Sequence, residues 1–166
     1  MKGIKIITDC TSDLTPELYK KLDIEVIPLI VSIGGKTYDD ISEIDSEKLF
    51  QLVKEYGELP KTASVSPATF LNYFNKHLEN GYDVLYMGIG AGFSASYQNA
   101  RLAASELPEG RVRIVDSGNL SSGIGLLLLK AAKFRDQGDS LEEIARKLEE
   151  LVPLVRTQFA INTLAY

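Results

Sequence analysis

VLYMGIGAGFSASYQNA, Val84 to Ala100, is the stretch on which the fold turns. An apolar run enters three glycines, Gly88, Gly90 and Gly92, within five residues. Two serines follow two apart, Ser94 and Ser96, and then residues that read as helix. The pattern is strand, tight turn, helix, and a turn of this kind presents free backbone amides to an anion. Downstream, Val112 to Asp116 reads as another strand and about Ser121 to Gln137 as a long apolar helix. Ser140-Leu-Glu-Glu143 is a capping box opening one more helix that ends before Pro153. Strands alternating with helices predict an α/β domain: three layers, a mostly parallel sheet with helices on both faces.

Upstream, the run IKII within Lys2 to Asp9 suits a buried strand. Thr15-Pro16 caps a short helix to Leu22. Ile24 to Ile33 is apolar and β-branched and reads as one strand, turned at Gly34-Gly35 into a second through Tyr38. Ser46 is the expected cap of a helix to about Tyr56, and Lys61 to Pro67 reads as a hydroxyl-rich loop. Ser66-Pro67 opens a helix to about Leu78, with Phe70, Phe74 and Leu78 at helical spacing. At the end, Val155, Thr157, Phe159, Ile161 and Thr163 alternate with Arg156, Gln158, Ala160 and Asn162, as in a strand with one buried face. The expected division is therefore a domain over 1–152 and the first strand of a truncated second α/β domain over 153–166.

Composition narrows the chemistry. Of 166 residues, 45% are hydrophobic and 25% charged, ordinary for a chain that buries a real core. The formal net charge of −5, with Lys and Arg scattered, gives nucleic acid no basic stripe to bind. One cysteine excludes an intramolecular disulfide and fits a reducing compartment. No apolar run reaches the roughly 20 residues of a membrane span, so the expectation is a soluble, cytoplasmic protein. One histidine and one cysteine leave little for a zinc site or a Ser-His-Asp arrangement, which would have to run through His77.

Several motifs have competing readings. Gly90-x-Gly92-x-x-Ala95 with Asp116 beyond it matches a dinucleotide fingerprint, which makes an NAD- or FAD-dependent oxidoreductase the alternative function. A bare strand-to-helix turn is the bland reading. Gly35-Lys36-Thr37 resembles the tail of a phosphate-binding loop, but it lies in a hairpin. Asp9-Cys10-Thr11 lacks the second aspartate that an aspartyl-phosphate phosphatase needs; Asp9 and Asp13 suit a strand-end turn. Cys10 reads as a small buried thiol, and His77 as a partly exposed residue without function.

Two helix starts share a further signature, Thr62-Ala63-Ser64-Val65-Ser66-Pro67 and Ser94-Ala95-Ser96. Each places hydroxyls beside the free amides of a first helical turn. A helix N-terminus favours an anion without a cationic side chain, and neutral hydroxyls suit a carboxylate better than a triphosphate. Helix capping alone accounts for Ser66 and Ser94 but leaves Thr62 and Ser64 without a role.

Six segments together, IITDCTSDLTPEL, IEVIPLIVSIGGKTYDD, PKTASVSPATF, GIGAGFSASYQNAR, VRIVDSGNLSSGIGLL and FAINTLAY, resemble in order and spacing the DegV family of fatty-acid-binding proteins. The resemblance runs the whole length of the chain. It implies a carrier, not an enzyme, that sequesters one long-chain fatty acid such as palmitate, stearate or oleate. It further implies presentation of that acid to a fatty acid kinase, with no other cofactor and no metal. By motif, Thr62 and Ser94 would hold the carboxylate, within a fatty-acid-binding set of Thr62, Ala63, Ser64, Ser94, Ala95 and Ser96. The acyl chain would run into an apolar tunnel between two domains. The chain departs from the family pattern in places: Cys10 stands where the family has Ser, Gly90 and Ala91 where it has hydroxyls, and Ser96 where it has Thr. The family also continues beyond Tyr166 into a glycine-rich segment and a second domain.

Overall fold

The computed structural model describes residues 3–160. Four strands form one wholly parallel sheet: β1 (Ile4–Asp9), β2 (Ile24–Ile27), β6 (Asp83–Tyr86) and β7 (Val112–Ile114), in the order β2-β1-β6-β7. Helices α1 (Pro16–Lys21), α5 (Ser122–Asp136) and α6 (Leu141–Leu151) cover one face, and α3 (Pro67–Glu79) and α4 (Ser96–Ser105) the other. Side chains alternate to match. Ile6 and Leu85 join Ile124, Leu128, Ile144 and Leu148 in one core. Ile7, Val84 and Tyr86 join Phe70, Phe74, Ala100 and Ala103 in the other. Burial on both faces explains why these strands read as unbroken apolar runs.

A second, antiparallel sheet stands apart from the expected single sheet. It holds β3 (Ile30–Ile33), β4 (Lys36–Asp39) and β5 (Lys61–Ala63) in the order β4-β3-β5, with α2 (Ser46–Tyr56) against β3. The run from Ile24 to Ile33 is thus two strands in two sheets, parted at Pro28-Leu29. Proline donates nothing to a strand ladder, so the parallel sheet ends there and the chain turns away. Lys61 to Ala63 is strand rather than loop, because β3 offers an open edge: Thr62 pairs with Val31 and Ala63 with Ile30. The cap of α2 is Asp45, whose carboxylate accepts the Lys48 amide at 2.8 Å, and Ser46 is the first helical residue.

Other ends fall as read. Thr15 and Ser66 cap helices that begin with proline, and Ser140 and Glu143 form the reciprocal capping box. The expected terminal strand does not appear over residues 155–160; Ile161 and Thr163 lie outside the described residues. No helix among the described residues is long and apolar enough to cross a membrane.

Candidate functional site

Strand order fixes where a ligand would meet this sheet. From β1 the chain passes to β2 on one side, whereas β6 lies on the other, so the winding reverses between β1 and β6. In open α/β sheets the crevice beyond the carboxyl ends of such strands is the ligand position. The loops leaving there are Asp9–Asp13 and Met87–Ala95.

Asp9 locks those two loops together. It is fully buried and accepts from the Thr11 amide and hydroxyl, from the Ile89 amide at 2.9 Å and from the Tyr86 hydroxyl at 2.9 Å. Burial first, and then the Asp9 charge, hold the Tyr86 phenol well above its ordinary pKa, so it stays a donor. A Cβ on Gly88 would fall 2.1 Å from the Asp9 carboxylate, so this approach requires glycine. With both oxygens engaged, Asp9 is a structural clamp, as the strand-end-turn reading expects. Cys10 beside it is half-buried; its thiol donates to Asp40 at 3.1 Å, and burial followed by that bond pushes its pKa far up. Such a thiol is a poor nucleophile.

The hydroxyl loops meet at α4. Ser96 is fully buried, and its Oγ accepts the Val65 amide at 3.2 Å. Asn99, one turn further, donates to the Val65 carbonyl at 2.8 Å and reaches Ser64 Oγ at 3.5 Å. Two side chains of α4 therefore hold both sides of the Val65 residue and dock the segment before α3 onto the start of α4. Ser94 accepts the Ser96 amide at 3.2 Å and donates to Ser96 Oγ at 3.1 Å. Ser94 is half-buried, whereas Thr62, Ala63, Ser64 and Ala95 are exposed. The structure thus joins Ser64, Ser94 and Ser96 through hydrogen bonds. Thr62 and Ala63 stand on the edge strand β5, outside that network. Ala95, the N-cap of α4, has no side-chain bond to give, so the first-turn amides beyond Ser96, which Ser94 already engages, are left for an incoming acceptor.

The dinucleotide residues have other occupations. Asp116 accepts the amides of Ala91 and Gly118, each at 3.0 Å, within its own loop pair. Gly90 packs on the turn at Gly118-Asn119, where a Cβ would approach the backbone to 2.9 Å. Ala95 is exposed rather than wedged between helix and strand. His77 lies at the other end of the sheet, buried rather than partly exposed, and paired with Glu25. Burial alone would raise Glu25, but bonds from Lys76 and His77 hold its carboxyl below the usual range.

Sequence reading does not single out Asn99, Ser117 or Asn119, which the fold engages. The turn-forming cluster Asp116-Ser-Gly-Asn119 was a local signal for the last two. Asn99, three residues after Ser96, shares its helix face.

Comparison with known proteins agrees with this architecture. A DegV domain-containing protein of Clostridium acetobutylicum is 38% identical over 164 residues, covering 99% of this chain and 59% of its own. One of Deinococcus radiodurans is 36% identical with similar coverage. The chain thus spans about three fifths of the length of the curated relatives it matches. Among solved structures, a DegV family protein from Thermus thermophilus, described for its fatty acid binding, superposes with a TM-score of 0.84 at 38% identity. The match covers 92% of this chain and 54% of that one. DegV of Bacillus subtilis, described as a fatty acid binding protein, gives 0.83 at 27% identity and similar coverage. The model of the DegV family, whose description is "uncharacterised protein", matches residues 3–166, and the chain belongs to that family.

Proposed function

We propose that this chain is the head-group half of a long-chain fatty acid carrier. The observation that carries the reading is the docking of two hydroxyl-bearing helix starts by Ser96 and Asn99 at the switch-point end of the sheet. Thr62 and Ser94, whose hydroxyl hydrogen turns from Ser96 Oγ to the ligand, are with the first-turn amides of α4 the donors for the carboxylate. Ser64 and the backbone at Ala63 and Ala95 flank them, and Ser96 holds the two loops in register. A helix N-terminus and neutral donors satisfy a single negative charge without a buried lysine or arginine.

Affinity comes from the acyl chain. Burying about 15 methylenes at about 0.8 kcal/mol each gives on the order of 12 kcal/mol as an upper bound. The head-group site then only offsets carboxylate desolvation and sets orientation. The tunnel is completed by sequence that the relatives have outside the matched region, and residues 153–166 are assigned to the start of that second domain. The protein acts as a cytoplasmic carrier that presents its acid to a kinase, rather than as a catalyst. Fatty acid binding by its structural relatives supports the ligand class.

Denaturing mass spectrometry of the full-length protein purified from cells tests this directly. A co-purifying C16–C18 acid is expected; a nicotinamide or flavin nucleotide would restore the oxidoreductase alternative. The double variant Thr62→Ala with Ser94→Ala should lose most of that lipid, and unchanged retention would refute the site.

A further inference from the structure

Loop Met87–Ala95 does not stand on its own strand alone. It is held by the turn Asp116–Asn119, and that turn is held in its place by the segment leaving α6. The Gly90 amide donates to the Asn119 carbonyl at 2.9 Å, and Ser117 Oγ donates to the Gly88 carbonyl at 2.7 Å. Asn119, only 6% exposed, has its side-chain amide fixed at both ends. Its Nδ2 donates to the Ser117 carbonyl at 2.7 Å, and its Oδ1 accepts the Thr157 hydroxyl at 2.9 Å.

Two glycines make room for this arrangement. A Cβ on Gly90 would meet the Gly118-Asn119 backbone at 2.9 Å. On Gly123, inside the first turn of α5, it would meet Thr157 Oγ1 at 2.2 Å and Asn119 Oδ1 at 2.9 Å. A glycine within a helix costs about 1 kcal/mol relative to alanine, so its presence here marks the approach of Thr157 rather than a helical preference.

We infer that Asn119 is the positioning residue of the Gly90–Ser94 loop and that Thr157 sets Asn119, coupling the segment that leaves α6 to the head-group site. The role in binding rests on the fatty acid reading; the positioning itself does not. Neither residue touches the ligand. Removing the Thr157 hydroxyl leaves a buried amide oxygen without its donor. The Asn119 turn then loosens, and with it the carbonyl that holds Gly90.

The test uses the full-length protein and three variants: Thr157→Val, Thr157→Ser and Gly123→Ala. Amide hydrogen exchange at Gly90 and Ala91 in lipid-free protein reads the positioning; palmitate titration calorimetry reads the coupling. Thr157→Val should speed exchange about tenfold, the scale of one hydrogen bond, and weaken palmitate binding by about the same factor. Thr157→Ser should restore both. Gly123→Ala, which improves helix propensity, should still speed loop exchange because it evicts Thr157. Wild-type exchange in Thr157→Val overturns the inference, as does faster exchange with unchanged palmitate affinity. A wild-type protein that binds no palmitate refutes the carrier reading instead, and the exchange data alone then decide the positioning.

Discussion

Ser96 shows how far a residue's role depends on what arrives beside it. In the sequence it is one of two hydroxyls at a helix start, indistinguishable from Ser94. In the fold it is fully buried and turned toward the Val65 amide, while Ser94 remains half-buried at the surface of the turn. The difference comes from a partner 31 residues away, which no local pattern encodes. Ser96→Ala removes the acceptor of a buried amide, and an unpaired buried donor costs about 1–3 kcal/mol. Urea denaturation should show a stability loss of that order, with the segment before α3 released from α4. A change under 0.5 kcal/mol would mean that Val65 finds another acceptor. Asp9 was more legible: an aspartate at a strand end followed by Cys-Thr-Ser reads as a turn-forming carboxylate. Its bonds to Tyr86 and Ile89 were out of reach, because they depend on strand order.

At the scale of elements, helix ends were the clearest. Thr15-Pro16, Ser66-Pro67 and Ser140 to Glu143 carry their capping chemistry within four residues, so sequence suffices. Strand partition was not so local. Ile24 to Ile33 is uniformly apolar, and Pro28 was the only sign that two sheets divide it. β5 forms because an edge was vacant, which composition does not reveal. One tie between elements has a pH signature. Glu25 on β2 accepts from Lys76, at 2.6 Å, and His77 on α3. Its folded pKa lies below its unfolded value, which is near 4.3 for glutamate. The tie therefore stabilises the fold fully above the unfolded pKa, and that contribution is lost as pH falls through the lower folded value. Glu25→Gln should lower the thermal midpoint at neutral pH and flatten its decline below about pH 4.3. A variant whose acid limb parallels the wild type would assign that limb to other carboxylates.

For the whole molecule, the α/β class and its two helix layers followed from alternating periodicities, and the parallel sheet places its reversal between β1 and β6. That reversal collects Asp9, the glycine turn and α4 at one end, so the head-group candidates owe their neighbourhood to topology rather than to spacing in sequence. What the described residues do not enclose there is equally informative. Thr62, Ser64 and Ala95 are exposed, and Phe93 beside them is 54% exposed. Each methylene contributes about 0.8 kcal/mol only when removed from water. An acyl chain lying on an open face keeps much of its hydration, while the carboxylate still pays the entropy of immobilisation. The 166-residue polypeptide, which spans about three fifths of its curated relatives, should accordingly bind palmitate more than tenfold more weakly than the full-length Thermus thermophilus relative. Titration calorimetry of the two proteins in the same buffer checks this. Comparable dissociation constants would show that these 166 residues bury the acyl chain themselves.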